Sequence, residues 1–177
     1  MRALHIIGGP PGAGKTSSAG LVVDTYQRGV HIRSDDFWHY IASAYVEPWL
    51  PASADQNAVV MSAVASAAAR FVIGNYDTIV DGAIGPWFLD PFIEVAKGSG
   101  FVLDYVILRP DREVALARAL KRVDGGLKER GPVLKMHEEF SSLAEFERYV
   151  LDSSAMSPEG TAAALRSGLE EGRFRVI

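Results

Sequence analysis

The chain of 177 residues contains no cysteine, which excludes disulfides and thiolate metal sites and is compatible with a reducing compartment. It has four histidines, and His5, His31 and His137 show no ligand spacing. They read as structural, and no zinc site is expected. No long basic run offsets the net charge of −4, so a general nucleic-acid binder is not expected. The N-terminal apolar run ends at Gly8, too short for a secretory h-region, and no apolar stretch reads as a transmembrane span. The expectation is a cytoplasmic protein, monomeric or homodimeric, that engages neither membrane nor nucleic acid. Positive charge is scarcest between Asp36 and Lys97, where Arg70 is the only cationic side chain. Enzymes that take a phosphorylated acceptor hold its phosphate with paired arginines, and this stretch has none.

What is present is an ordinary globular composition, 48% hydrophobic and 23% charged. At this length it reads as a single domain over residues 1–177 with a substantial core. The most informative stretch follows the strand-like run Ala3–Ile7. There Gly9-Pro10-Pro11-Gly12-Ala13-Gly14-Lys15-Thr16 fits the phosphate-loop pattern G-x-x-x-x-G-K-[ST] at every fixed position. The glycines let successive backbone N–H groups turn inward as a nest for anionic oxygens. Gly14-Lys15-Thr16 opens a helix whose positive end faces the same phosphates. Lys15 reaches the β- and γ-phosphates, and the Thr16 hydroxyl is a ligand for Mg²⁺. Residues Gly9 to Ser17 are therefore the nucleotide-binding candidates.

Beyond the loop, helical and strand-like segments alternate. A helix is expected over Ser17–Arg28, a strand over Val30–Arg33 and a helix over Phe37–Val46. Ser53-Ala54-Asp55-Gln56 has the form of a capping box. The helix after it presents Val60, Val64, Ala67, Ala68 and Phe71 on one face. Strands follow at Thr78–Val80, Phe101–Leu108 and Tyr149–Leu151, with a terminal strand at Arg173–Ile177. Helices are expected over Pro91–Lys97, Pro110 to about Val123, within Val133–Arg148, and from Ser157 to about Glu171. The glycine-rich, charged stretch Asp124–Pro132 reads as a mobile loop, a lid over about 123–135. This alternation predicts an α/β fold with a parallel sheet and helices on both faces, with ligands at the carboxyl ends of the strands.

Three strand ends carry the phosphate loop, Asp35/Asp36 and Asp81. Either Asp35 or Asp36 caps the following helix, or one of them handles an acceptor hydroxyl as general base. The cap is assigned to Asp36 and the chemistry to Asp35. Asp81 is either a turn aspartate before Gly82 or a carboxylate near the metal, and the latter is favoured. Arg118 and Arg122 share a helix face by their i, i+4 spacing, and with Arg130 they flank Gly125-Gly126. They are either a solvated face or a lid that brings positive charge to the transferring phosphoryl. Trp38, Trp49 and Trp87 all fall in the cation-poor stretch, so they are either core or an aromatic site for an uncharged or cationic hydroxylated molecule.

With these residues in place, the chain resembles the small P-loop kinases of the nucleotide-kinase-like group. It is most similar to a compact subset including chloramphenicol phosphotransferase, zeta-toxin kinases and gluconate- and shikimate-kinase-like proteins. The stretches that carry the resemblance are GGPPGAGKTSSA, HIRSDDFW, TIVDGAIGPW and LRPDREVALARALKR. The resemblance implies a three-layer P-loop fold with strand order 2-3-1-4-5, a lid, and ATP with Mg²⁺. It implies that Asp35 handles the acceptor hydroxyl, that Arg118 or Arg122, and less directly Arg130, is the lid arginine, and that Ser153 lies near the adenine. The expected activity is transfer of the γ-phosphoryl group to a hydroxyl of a small neutral or cationic molecule. Lys15, Asp35, Arg118 and Arg122 would be catalytic, and Thr16 and Asp81 would organise the metal. The alternatives are a nucleoside monophosphate kinase, in which Arg33 and Arg70 hold the acceptor phosphate, and a nucleotide-binding module or NTPase without an acceptor.

Overall fold

The structure, a computed structural model, describes residues 2–121 and 127–177. Five parallel strands are ordered β2-β3-β1-β4-β5. They are β1 (Ala3–Gly8), β2 (Gly29–Arg33), β3 (Asp77–Asp81), β4 (Val102–Leu108) and β5 (Val150–Leu151). Strands buried on both faces read as continuous apolar runs rather than alternating ones, and every residue of β4 is buried. The helices are α1 (Lys15–Val23), α2 (Asp35–Trp38), α3 (Ala54–Ile73), α4 (Asp90–Ser99), α5 (Arg112–Leu120), α6 (Arg130–Glu139) and α7 (Pro158–Glu170). The chain runs from β1 to β2 in one direction and from β2 back to β3 in the other. Right-handed crossovers therefore put α1 and α3 on opposite faces. α1 packs with α7, and α3 with α4.

Several elements differ from the sequence reading. The helix expected over Phe37–Val46 stops at Trp38, so α2 is four residues long. It also begins at Asp35 after an N-cap Ser34, so Asp36 lies in the first turn and is not the cap. The next residues are irregular, with Ala44 at a φ of 56°, and two amide side chains of α3 hold them. Gln56 donates to the Val46 carbonyl and accepts from the Val46 N–H, while Asn57 donates to the Pro48 carbonyl. The capping box is therefore absent: Gln56 is engaged with Val46, and the Ser53 hydroxyl donates to the Leu50 and Pro48 carbonyls.

In α3, Val60, Val64 and Ala68 are buried as expected, but Phe71 is exposed and the buried stripe runs instead through Met61, Ala65 and Val72. Pro51–Ile73 is long and apolar enough to cross a membrane by length and composition alone. Its buried stripe packs on β3, β1 and α4, which makes it a core helix. The single helix expected within Val133–Arg148 is two pieces: α6 ends at Glu139, and a 3-10 turn covers Ala144–Tyr149. The terminal strand is one antiparallel bridge, Asp104 with Arg175. Of the expected lid, residues 123–126 lie outside the described residues, and 130–135 form the start of α6.

Candidate active site

The phosphate loop joins β1 to α1, and its glycines hold backbone angles that side chains resist. Gly9, Gly12 and Gly14 have φ of 136°, 78° and 89°. A Cβ on Gly12 would lie 2.0 Å from the Ala115 carbonyl oxygen, and one on Gly9 2.2 Å from that of Leu108. Pro10, Pro11 and Ala13 are buried, whereas Gly14 and Ser17 are exposed. Gly14 is the N-cap of α1, so the first N–H groups of that helix point out of the loop unpaired by side chains. Lys15 Nζ donates to the Pro10 carbonyl at 2.9 Å, which folds the ammonium back over the loop.

Asp81 ends β3 directly beside the loop strand, in register with Ile7. It is 2% exposed and accepts two hydrogen bonds, one on each oxygen. The Thr16 hydroxyl donates to Oδ2 at 2.5 Å, and His31 Nε2 lies 2.8 Å from Oδ1. Because a carboxylate only accepts, the ring nitrogen facing it carries the proton. The structure thus joins Thr16 and Asp81, the two residues assigned to the metal, and adds His31. Sequence spacing had no way to find His31, since its partner is fifty residues away.

Among the described residues no cluster of three His, Cys, Asp or Glu side chains could hold a metal by itself. Mg²⁺ does not need one: it keeps several waters and binds through one or two carboxylates plus substrate phosphates. A hydroxyl and a carboxylate, both hard oxygen donors beside a phosphate loop, fit that ion.

Asp35 is exposed and opens α2, two residues past the end of β2. It lines a cavity of about 1220 Å³ together with Lys15, Trp38, Trp49 and Trp87. The three tryptophans come from different segments and line one cavity. Trp38 is buried and its indole N–H donates to Asn57 Oδ1 at 2.9 Å. Trp87 is 49% exposed and packs against Phe140 with ring centroids 5.2 Å apart. Asn57 is a residue that sequence reasoning missed. Its single side chain ties Trp38, the Pro48 carbonyl and Ser53 together and so shapes the wall. A polar residue on an otherwise apolar helix stripe was the available signal. Tyr45 also lines the cavity and donates to Glu47 at 3.1 Å. Burial, then that carboxylate, raises its pKa.

The cation-poor stretch does not set the charge of this cavity by itself, because other segments contribute. Among the described residues, Lys15, Arg33, Lys128 and Lys135 stand against Asp35, Glu47, Glu129 and Glu139, four of each sign. Arg70 is exposed on α3 and is not part of the lining.

Of the basic residues assigned to the lid, Arg118 and Arg130 fall within the described residues. The Arg118 guanidinium donates to the carbonyls of Ser153, Ser154 and Met156, so it anchors the loop after β5. Ser153 is buried, and its hydroxyl donates to the Ala13 carbonyl at 3.2 Å, bracing the phosphate loop from behind. Arg130 opens α6, is exposed, and does not line the cavity. Arg122 lies outside the described residues.

The family model described as an AAA domain (AAA_33) matches residues 4–143. No curated protein matches the sequence. Among solved structures, the chain is similar to a sugar kinase from Janibacter sp. HTCC2649, at 20% identity and a TM-score of 0.72, covering 96% of this chain and 95% of that one. A gluconokinase from Sinorhizobium meliloti 1021 aligns at 16% identity and a TM-score of 0.72, covering 96% and 93%. A tunicamycin resistance protein from Deinococcus radiodurans aligns at 16% identity and a TM-score of 0.67, covering 96% of both chains. At such identities the likeness shows the fold alone, the one these P-loop kinases share.

Proposed function

The chain belongs to the AAA-domain family matched over residues 4–143, and from that premise we propose that it is an ATP- and Mg²⁺-dependent phosphotransferase acting on a hydroxyl of a small neutral or cationic molecule. One observation carries this reading. A single cavity is lined at once by Lys15 of the phosphate loop, by Asp35, and by three indole rings. A nucleotide-binding module without an acceptor has no use for such a space.

In the reaction, the bond between the γ-phosphorus and the ADP oxygen breaks, and one forms to the acceptor oxygen. Asp35 takes the hydroxyl proton as the acceptor attacks. Lys15 and the backbone N–H groups of Gly12–Thr16 stabilise the charge on the phosphoryl oxygens and on the departing ADP. Thr16 and Asp81 would hold Mg²⁺, which supplies charge neutralisation between the phosphates when bound. Trp49 and Trp87 would orient the acceptor by stacking, and closure over it excludes water.

The balance of charges in the wall suits a neutral acceptor better than a phosphate dianion. Arg33 lines the cavity but Arg70 does not, so the paired cations that a nucleoside monophosphate would require from those two residues are not assembled. The test is ADP release across a panel of hydroxylated acceptors. Acceptor-stimulated turnover should fall by on the order of 10²–10⁴ in Asp35→Asn, the usual worth of a positioned general base. A panel giving only background release, alike in wild type and variant, would remove this reading.

A further inference from the structure

His31 belongs neither to the phosphate loop nor to the acceptor cavity, whose lining does not include it. It sits in the middle of β2, level with Ile79 of β3 in the parallel register, and its ring reaches forward along the sheet to Asp81. Its side chain is 19% exposed. α1, whose first turn carries Thr16, packs on both β2 and β3. The ring therefore reaches Asp81 from the neighbouring strand, and the Thr16 hydroxyl reaches it from the helix.

The torsion that turns a carboxylate plane is broad and roughly twofold, so a donor on one oxygen leaves the other free to swing. Here each oxygen has its own donor, 2.5 Å and 2.8 Å away, on different structural elements. That pair of bonds fixes the plane and still leaves lone pairs on both oxygens, since a carboxylate has about four acceptor positions. Thr16 gives its only proton to Asp81, which leaves the hydroxyl lone pairs available to a cation.

We infer that His31 is a positioning residue for phosphoryl transfer, one that locks the carboxylate which, with Thr16, receives the divalent ion. This rests on the metal assignment made above for Thr16 and Asp81. Groups that hydrogen-bond a ligating side chain from behind typically change metal affinity or activity by about 10–100-fold when removed. His31 acts through Asp81 and does not line the acceptor cavity.

The test compares two substitutions of similar shape. His31→Gln keeps an N–H donor at comparable reach; His31→Met fills the space without one. Binding of ADP is measured by calorimetry with and without Mn²⁺, alongside kcat and the acceptor KM. His31→Met should weaken Mn²⁺-dependent ADP binding by about tenfold or more, leave metal-free ADP binding within about twofold, and lower kcat with the acceptor KM unchanged. His31→Gln should recover most of the loss.

Equal metal dependence in wild type and His31→Met, at matched melting temperature, overturns the proposal. So does a loss of metal-free ADP binding that His31→Gln fails to restore, because that marks a collapsed loop. Were wild type itself to bind ADP no better with Mn²⁺ than without, the metal assignment would fall and this inference with it. In that case acceptor-stimulated turnover would still decide the phosphotransferase reading separately.

Discussion

Two histidine–aspartate pairs lie in the same sheet, and they serve different ends. His5 Nδ1 meets Asp104 Oδ2 at 3.0 Å, and His31 Nε2 meets Asp81 Oδ1 at 2.8 Å. Both aspartates are buried. What separates them is the third partner. Asp104 also accepts from Arg175 Nε at 2.7 Å, a full positive charge that pins the C-terminal segment to β4. Asp81 accepts instead from the Thr16 hydroxyl, which satisfies an oxygen without bringing charge. The lesson is that a buried carboxylate's role follows from how its charge is met. Arg175 completes one pair into a structural clamp, and the hydroxyl leaves the other equipped for a cation beside the phosphate loop.

The largest expected effect breaks the functional pair alone. Asp81→Asn should lower kcat by on the order of 10²–10³ while shifting the melting temperature by only a few degrees. Equal loss of stability and activity would erase the distinction between the two pairs.

The converse substitution tests the clamp. Asp104→Ala removes the acceptor for both His5 and Arg175 and should cost about 2–3 kcal/mol, less than a fully buried pair because Arg175 reaches solvent. For a chain of this size that is about 5–10 °C in melting temperature. Turnover measured well below the transition should stay within about twofold.

The smallest effect lies on the acid limb. Burial alone would raise the Asp104 pKa, but hydrogen bonds from His5 and Arg175 outweigh it and hold the carboxyl below its ordinary 3.8. As pH falls, the unfolded chain takes up this proton before the folded one does. The stability Asp104 contributes is therefore complete above its unfolded pKa of about 4, and it is lost as pH falls through the lower folded value. The melting-temperature gap between wild type and Asp104→Ala should thus be constant above about pH 5 and close below about pH 4. A gap independent of pH would show that packing, not charge, holds the clamp.

The phosphate end of the molecule was legible because it is local. Within Gly9–Thr16 each residue type answers a backbone or charge requirement of its neighbours, and the flanking Ala3–Ile7 and Ser17 onward announce strand and helix. Among the strands, β1, β3 and β4 are buried almost throughout and leave apolar runs, whereas the edge strands β2 and β5 are partly exposed and were legible as short segments between helical stretches. Where a local reading fell short, distant partners had a say. Phe37–Val46 carries helical residues, but Gln56 and Asn57 take the backbone of residues 46 and 48 and hold it irregular. Arg118 has a lid-like position in sequence, yet the carbonyls of Ser153, Ser154 and Met156 claim it.

By itself, then, the sequence determined the nucleotide loop, the strand-end acids and the layered α/β class, since these follow from short-range sterics, periodicity and the alternation of elements. Only the tertiary structure decided that three tryptophans line one cavity with Lys15 and Asp35. It also decided that Lys128, Glu129, Lys135 and Glu139 join the same lining, and that His31 stands behind Asp81. Each of those facts is a meeting of side chains from separate elements, and the distance between them along the chain carries no trace of it.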